Sequence, residues 1–179
     1  MLSTSRILPT TVAFLFLLVS WTQAQEGSEG FRPFLQCTNA KGDPGEHATA
    51  RLEGCDDHEV CPLYRNTSAK LEMQFRIHNS TKGIYRRIYG LFEKVMVPYG
   101  REVNVCNATA SVDDDVKCTQ GNRGLREGHL YQHTGAFFVK PFFPKVKVNV
   151  AIYLYDKERT NKLPIACVLI PVEILDKEG

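Results

Sequence analysis

The sequence predicts an all-β chain folded as an immunoglobulin-like two-sheet β-sandwich of about seven strands. Three observations predict it. Short apolar runs are separated by turn chemistry, and no stretch shows the apolar period of an amphipathic helix. Two segments alternate with a period of two: Ala69, Leu71, Met73, Phe75 and Ile77 against Lys70, Glu72, Gln74, Arg76 and His78, then Val146, Val148, Val150, Ile152 and Leu154 against Lys147, Asn149, Tyr153 and Tyr155. Six cysteines, an even number, follow what reads as a secretory leader, which fits a disulfide-stapled domain. The sole tryptophan, Trp21, lies in that leader, so the buried tryptophan of a true antibody domain is missing and the likeness is one of architecture.

The leader is read from Arg6, a positive n-region, from the apolar run Val12 to Trp21, and from Thr22-Gln23-Ala24 as a small-residue cleavage site. Residues 1–24 are therefore expected to be a signal peptide and residues 25–179 a single domain. The apolar run falls short of the roughly 20 residues that a membrane span needs. A formal charge of +2, with Lys and Arg scattered, provides no basic tract for nucleic acid. A monomer, secreted to the extracellular space or delivered to the lysosomal lumen, is expected.

In chain order, Phe31 to Gln36 leads into Cys37, and Lys41 to Glu46 carries turn chemistry before a strand from His47 to Gly54. The clear strand Ala69–Ile77 follows. Asn79 to Gly83 forms a turn, and Ile84 to Val97 reads as one long strand with Gly90 as its bulge, closed by Pro98-Tyr99-Gly100. Arg101 to Thr119 reads as a polar, disulfide-clipped excursion, and a weaker strand spans His129 to Thr134. Phe137, Phe138, Val139, Phe142 and Phe143 crowd around Pro141 and Pro144, which cannot donate a ladder hydrogen bond, so this cluster belongs at a strand end or loop. The strand from Val146, a hairpin turn over Asp156 to Asn161, and a last strand from Ile165 to Leu175 complete the chain.

Spacing sorts the cysteines. Cys55 and Cys61 flank five residues and Cys106 and Cys118 a polar loop, so both pairs read as local clips, leaving Cys37 and Cys167 to join the domain's ends. Neither local pair has zinc-ligand spacing, and no metal is expected. Three N-glycosylation sequons, at Asn66, Asn79 and Asn107, are expected on the surface. Asp113-Asp114-Asp115 reads as a solvated acidic loop rather than a calcium site, and His129 and His133 as surface or edge histidines rather than ligands. Arg86-Arg87 reads as a wet strand face, with contact to anionic headgroups or a receptor as the sharper alternative. No nucleophile triad, phosphate loop or paired carboxylates stand out, and the chain is not expected to be an enzyme.

The order of cysteines, with the closing element Cys167-Val168-Leu169-Ile170-Pro171-Val172-Glu173-Ile174, resembles the myeloid-differentiation-2-related lipid-recognition (ML domain) family, most closely its Niemann-Pick type C2 sterol carriers. The likeness covers Cys37 to Ile174. It implies a sandwich whose sheets splay around one apolar ligand in a cavity between them, with disulfides Cys37 to Cys167, Cys55 to Cys61 and Cys106 to Cys118. Val97-Pro98-Tyr99 matches the carriers' Val-Pro-Phe, which places Tyr99 at a tunnel mouth. Val139 to Pro144 matches a second tunnel segment, which makes Val139 and Phe143, with Phe142 beside them, lining residues. Phe75, Ile88, Val150 and Ile152 are further inward candidates from alternation alone. The departures are Gly100-Arg101-Glu102-Val103 in place of a proline-rich segment and a longer loop between Cys106 and Cys118.

The function implied is lipid binding for transport or transfer, with no cofactor and a bound sterol, fatty acid or other lipid as ligand. A membrane sterol transporter is the implied protein partner. Two alternatives stand beside it: an innate-immune accessory protein that presents microbial lipid to a Toll-like receptor, and a non-lipid-binding interaction module with a filled core.

Overall fold

The strands form where period-two alternation meets turn residues: β1 (Arg32–Pro33), β2 (Leu35–Gln36), β3 (Ala48–Leu52), β4 (Cys61–Tyr64), β5 (Thr67–Arg76), β6 (Tyr85–Phe92), β7 (Val95–Asn104), β8 (Thr109–Ser111), β9 (Leu130–Val139), β10 (Lys147–Tyr155) and β11 (Ala166–Leu175). The computed structural model describes residues 30–37, 48–93, 95–114, 118, 124–158 and 164–177. The signal peptide expected over residues 1–24 lies outside them.

The strands make two sheets. One has the order β1-β3-β5-β9-β8; the other has the order β2-β11-β10-β6-β7, with β4 running parallel to β11 beyond β2. Alternation sets what faces inward. Leu71, Met73 and Phe75 of β5 pack in one cluster with Val148, Val150, Ile152 and Leu154 of β10 and Ile170, Val172 and Ile174 of β11. Each fully buried Leu, Ile or Phe contributes about 1.5–3 kcal/mol by leaving water. A smaller cluster on the outer face of the second sheet gathers Cys37, Ala151 and Cys167 under Tyr89, Tyr153 and Leu169. The pairs Cys37–Cys167, Cys55–Cys61 and Cys106–Cys118 are all formed.

Several elements differ from the sequence reading. Ile84 to Val97 is a hairpin rather than one strand: Glu93 takes φ 52°, the left-handed conformation a tight turn needs, and the chain returns as β7. Pro98-Tyr99-Gly100 does not end a strand but lies inside β7. That strand is the edge of its sheet, where a proline forfeits no ladder bond. The bulge falls not at Gly90 but where β7 packs extra residues opposite Arg86–Ile88, beside Gly100 with φ 69°. Gly90 instead lies beneath the Phe92 ring, since a Cβ there would meet Cε2 at 3.1 Å. Part of the excursion from Arg101 is ordered as the end of β7, a short 3-10 turn at Cys106–Ala108, and β8.

The weak strand expected to stop at Thr134 runs on to Val139, ten residues paired to β5 along its full length. His133, expected at the surface, is 1% exposed on the inward face of this strand. Strand alternation, which places Tyr131 and His133 together, overrides the polarity of the side chain. Its Nδ1 lies 3.0 Å from the Ala108 carbonyl and 3.3 Å from Thr109 Oγ1, whose own proton goes to the Val105 carbonyl at 2.9 Å. A carbonyl accepts, so Nδ1 carries the proton and Nε2 presents a lone pair. Burial, together with the nearby Arg86 charge, lowers the His133 pKa from 6.5 to about 4.

Two outcomes are expected. Because the unfolded imidazole binds its proton more tightly than the folded one, stability should fall as pH drops from 6.5 towards 4, by about 3 kcal/mol in the limit, and urea titrations across that range should show the loss vanish in His133→Gln. Replacing Cys37 and Cys167 with alanine, which removes a bridge spanning 130 residues, should cost about 5 kcal/mol in the same assay, more than opening either local clip.

Candidate functional site

The site begins with a mismatch of strand lengths. The three residues of β8 pair with β9 only at Tyr131 to His133, so from Thr134 onward no strand among the described residues pairs with the outer edge of β9. Its carbonyls alternate: Val139 points back to accept from the Asn66 amide at 2.7 Å, leaving those of Ala136 and Phe138 aimed outward. Side chains from the opposite sheet cap both. Arg86 Nη2 donates to the Ala136 carbonyl at 3.3 Å, and the Tyr99 hydroxyl donates to that of Phe138. The two sheets are thus laced at one edge by side-chain hydrogen bonds to main-chain carbonyls.

Arg86 comes so close because residue 135 is glycine. A Cβ on Gly135 would lie 2.1 Å from Arg86 Nη1. The same nitrogen is 3.4 Å from His133 Nε2, the lone pair of the neutral imidazole. Burial lowers the Arg86 pKa. Among the described residues no carboxylate pairs with it, whereas its neighbour Arg87 points to the other face and pairs with Glu102 at 3.1 Å. The wet-face reading therefore holds for Arg87 and fails for Arg86, because consecutive strand residues point to opposite faces.

Beyond this lacing the inner face of the β6–β7 hairpin is apolar and open. Register puts Phe92 beside Val95, Gly90 beside Val97, Ile88 beside Tyr99 and Arg86 beside Val103, all on the face that Ile88 turns to the core. Ile88 is buried, but Val95 is 63% exposed, Val97 47%, and Phe92 and Val103 are exposed as well. Across the gap stand Phe137 and the turn after β9. Tyr99 meets Phe137 edge-on at 6.3 Å and Phe143 at 5.9 Å, and Phe143 meets Phe142 at 5.6 Å. Lys140 Nζ stands 5.6 Å above Tyr99 and 5.4 Å above Phe142, a cation over the aromatic rim.

The residues expected from sequence separate into three places. Tyr99, Phe143 and Ile88 come together at the cleft, with Val139, 2% exposed, behind them in the core. Phe142 is 74% exposed and stands on the outer rim. Phe75, Val150 and Ile152 lie in the packed core, with Phe75 stacked on Tyr131 at 6.4 Å. Sequence reading missed Phe92, Val95, Val97 and Val103 as wall, along with Arg86 and His133 as interior polar groups. Val95 and Val97 come to this face because the turn at Glu93 folds β7 back against β6. Asn66, Asn79 and Asn107 are all exposed. A separate concavity of about 680 Å³ lies on the outer face of the first sheet, between Asn107, Val112, Gln132 and Thr134.

With this geometry in hand, three comparisons place the chain. The ML domain family matches residues 32–174. Among solved structures, a Niemann-Pick type C2 protein from the Japanese carpenter ant aligns with TM-score 0.57 and 19% identity over 79% of this chain and 98% of that one. Chicken MD-1 complexed with lipid IVa aligns at 0.40 with 10% identity over 76% and 93% of the two chains. A CARDB domain from Pyrococcus furiosus in complex with di-metal ions scores the same 0.40, with 11% identity over 79% and 95%, so likeness at that level separates no function from another. No curated protein matches the chain in a search by sequence. The family match extends from β1 into β11, through both sheets and both walls of the cleft, and the chain belongs to the ML domain family.

Proposed function

We propose that this chain binds one apolar lipid in the cleft between the β6–β7 hairpin and β9 and carries it through water. One observation supports the reading above the rest: Val95, Val97 and Val103 stand exposed on an inward face of a sandwich whose inner faces are elsewhere dry. An inward strand face left in water costs roughly 25 cal/mol for each Å² of apolar surface, and a lipid laid against it recovers that amount. Because such contact is non-directional, the cleft accepts acyl chains as well as sterols, and we propose breadth rather than a strict sterol preference. The ant protein's similarity supports the fold for this use and leaves the ligand open.

The setting proposed is the extracellular space or the lysosomal lumen, on the strength of the secretory leader that the sequence of residues 1–24 predicts and of three disulfides. Residues 25–179 then make one monomeric domain, glycosylated at Asn66, Asn79 and Asn107. The chemistry of the cleft, rings and aliphatic side chains among the described residues, favours holding a ligand over transforming it.

Displacement of a fluorescent sterol from delipidated protein tests the reading. Saturable one-to-one binding displaced by both cholesterol and a long-chain fatty acid is the expected result, and no binding to well-folded protein would sink it, leaving an interaction module with a filled core. Val97→Asp should abolish binding with stability changed by no more than about 0.5 kcal/mol, because the side chain is exposed. Val139→Asp should unfold the domain first, since it buries a charge behind the cleft. A melt of each variant beside its titration separates the two cases.

A further inference from the structure

The geometry points to Arg86 as an anchor for the headgroup of a long-chain carboxylate, so that the cleft prefers acyl chains ending in an acid over neutral lipids of the same length. This rests on the cleft being the lipid site. Arg86 lies on the same inner face as Ile88, Phe92, Val95 and Val97. A guanidinium has five N–H donors in a planar fork. One goes to the Ala136 carbonyl and one faces His133 Nε2, leaving the remaining N–H groups without an acceptor among the described residues. A partly buried cation without a counter-charge is costly, and even the exposed Arg87 next to it pairs with Glu102 on the wet face. Arg86 has none from the protein, so an anion brought by a ligand would complete it with two parallel charge-assisted bonds.

The surroundings fit that anion and not a second cation. Among the described residues the one titratable group against Arg86 is His133, which presents a lone pair and stays neutral across physiological pH, so it neither cancels nor doubles the charge. Length fits too. From Arg86 to Phe92 the strand rises about 20 Å at roughly 3.3 Å per residue, about the reach of an extended long acyl chain, and the wall along it is apolar. A carboxylate at Arg86 would therefore lay its chain past Ile88 and Tyr99 towards Phe92 and Val95.

Arg86 also laces the sheet edge, so loss of binding in a mutant is not by itself informative. The test is selectivity. Oleic acid, methyl oleate and oleyl alcohol are titrated as competitors of one neutral fluorescent lipid against the wild-type protein, Arg86→Gln, Arg86→Lys and Gly135→Ala. Wild type should favour the acid by about tenfold or more, Arg86→Gln should bind acid, ester and alcohol with equal affinity, and Arg86→Lys should restore part of the preference. Gly135→Ala, which pushes the guanidinium aside without removing its charge, should also lose it. Equal affinity of the wild type for acid and ester, or an acid preference that survives Arg86→Gln, overturns the anchor while leaving lipid binding intact. Failure of all three competitors and of the probe to bind the folded wild type overturns both.

Discussion

The arrangement of this molecule depends on β9 outrunning β8. A strand of ten residues beside one of three leaves main-chain carbonyls at Ala136 and Phe138 with no neighbouring strand among the described residues to donate to them. Both carbonyls stand at an exposed edge, where water or a side chain can donate to them. The other sheet supplies Arg86 and Tyr99, which turns a charged side chain and a phenol to the inner face of the sandwich. Gly135 follows from that, since only its missing Cβ admits the guanidinium, and the cation at 3.4 Å adds to the burial that keeps His133 neutral.

The sandwich is consequently two halves with different physics. Around β5, β10 and β11 the inner faces are dry and close-packed, and the Cys37–Cys167 bridge sits on the outer face of that same half. Around β6, β7 and β9 the sheets are held by a few polar bridges and an aromatic rim, and the apolar wall is left exposed. Stability concentrated in one half allows the other to carry surface that would otherwise be a liability. The lipid carriage proposed for this chain needs this division, because a fully packed core has no room for cargo and a fully open one does not stay folded.

Where sequence and structure agree or part follows the range of the interactions involved. The alternations of β5 and β10 were legible because a strand buried on one face writes its burial into every second residue. The local cystine clips were legible from spacing, and the family from the cysteine order and the element closing at Ile174. The β6–β7 hairpin was not, because its turn rests on one residue, Glu93, in a conformation that its side chain does not advertise. His133 and Arg86 were placed on the surface because polarity argues for water, and what overrules it is a strand position whose inward direction depends on the neighbouring strands.

The sequence alone determined that this chain is an all-β, disulfide-stapled sandwich of the ML domain family, because strand periodicity, turn residues and cysteine spacing are local or nearly local signals. The tertiary structure alone decided which apolar residues stay exposed. Val95 and Val139 are the same side chain in similar strand contexts, yet one is 63% exposed and the other 2%. That difference arises from what lies across the gap between the sheets, and no neighbour along the chain records it.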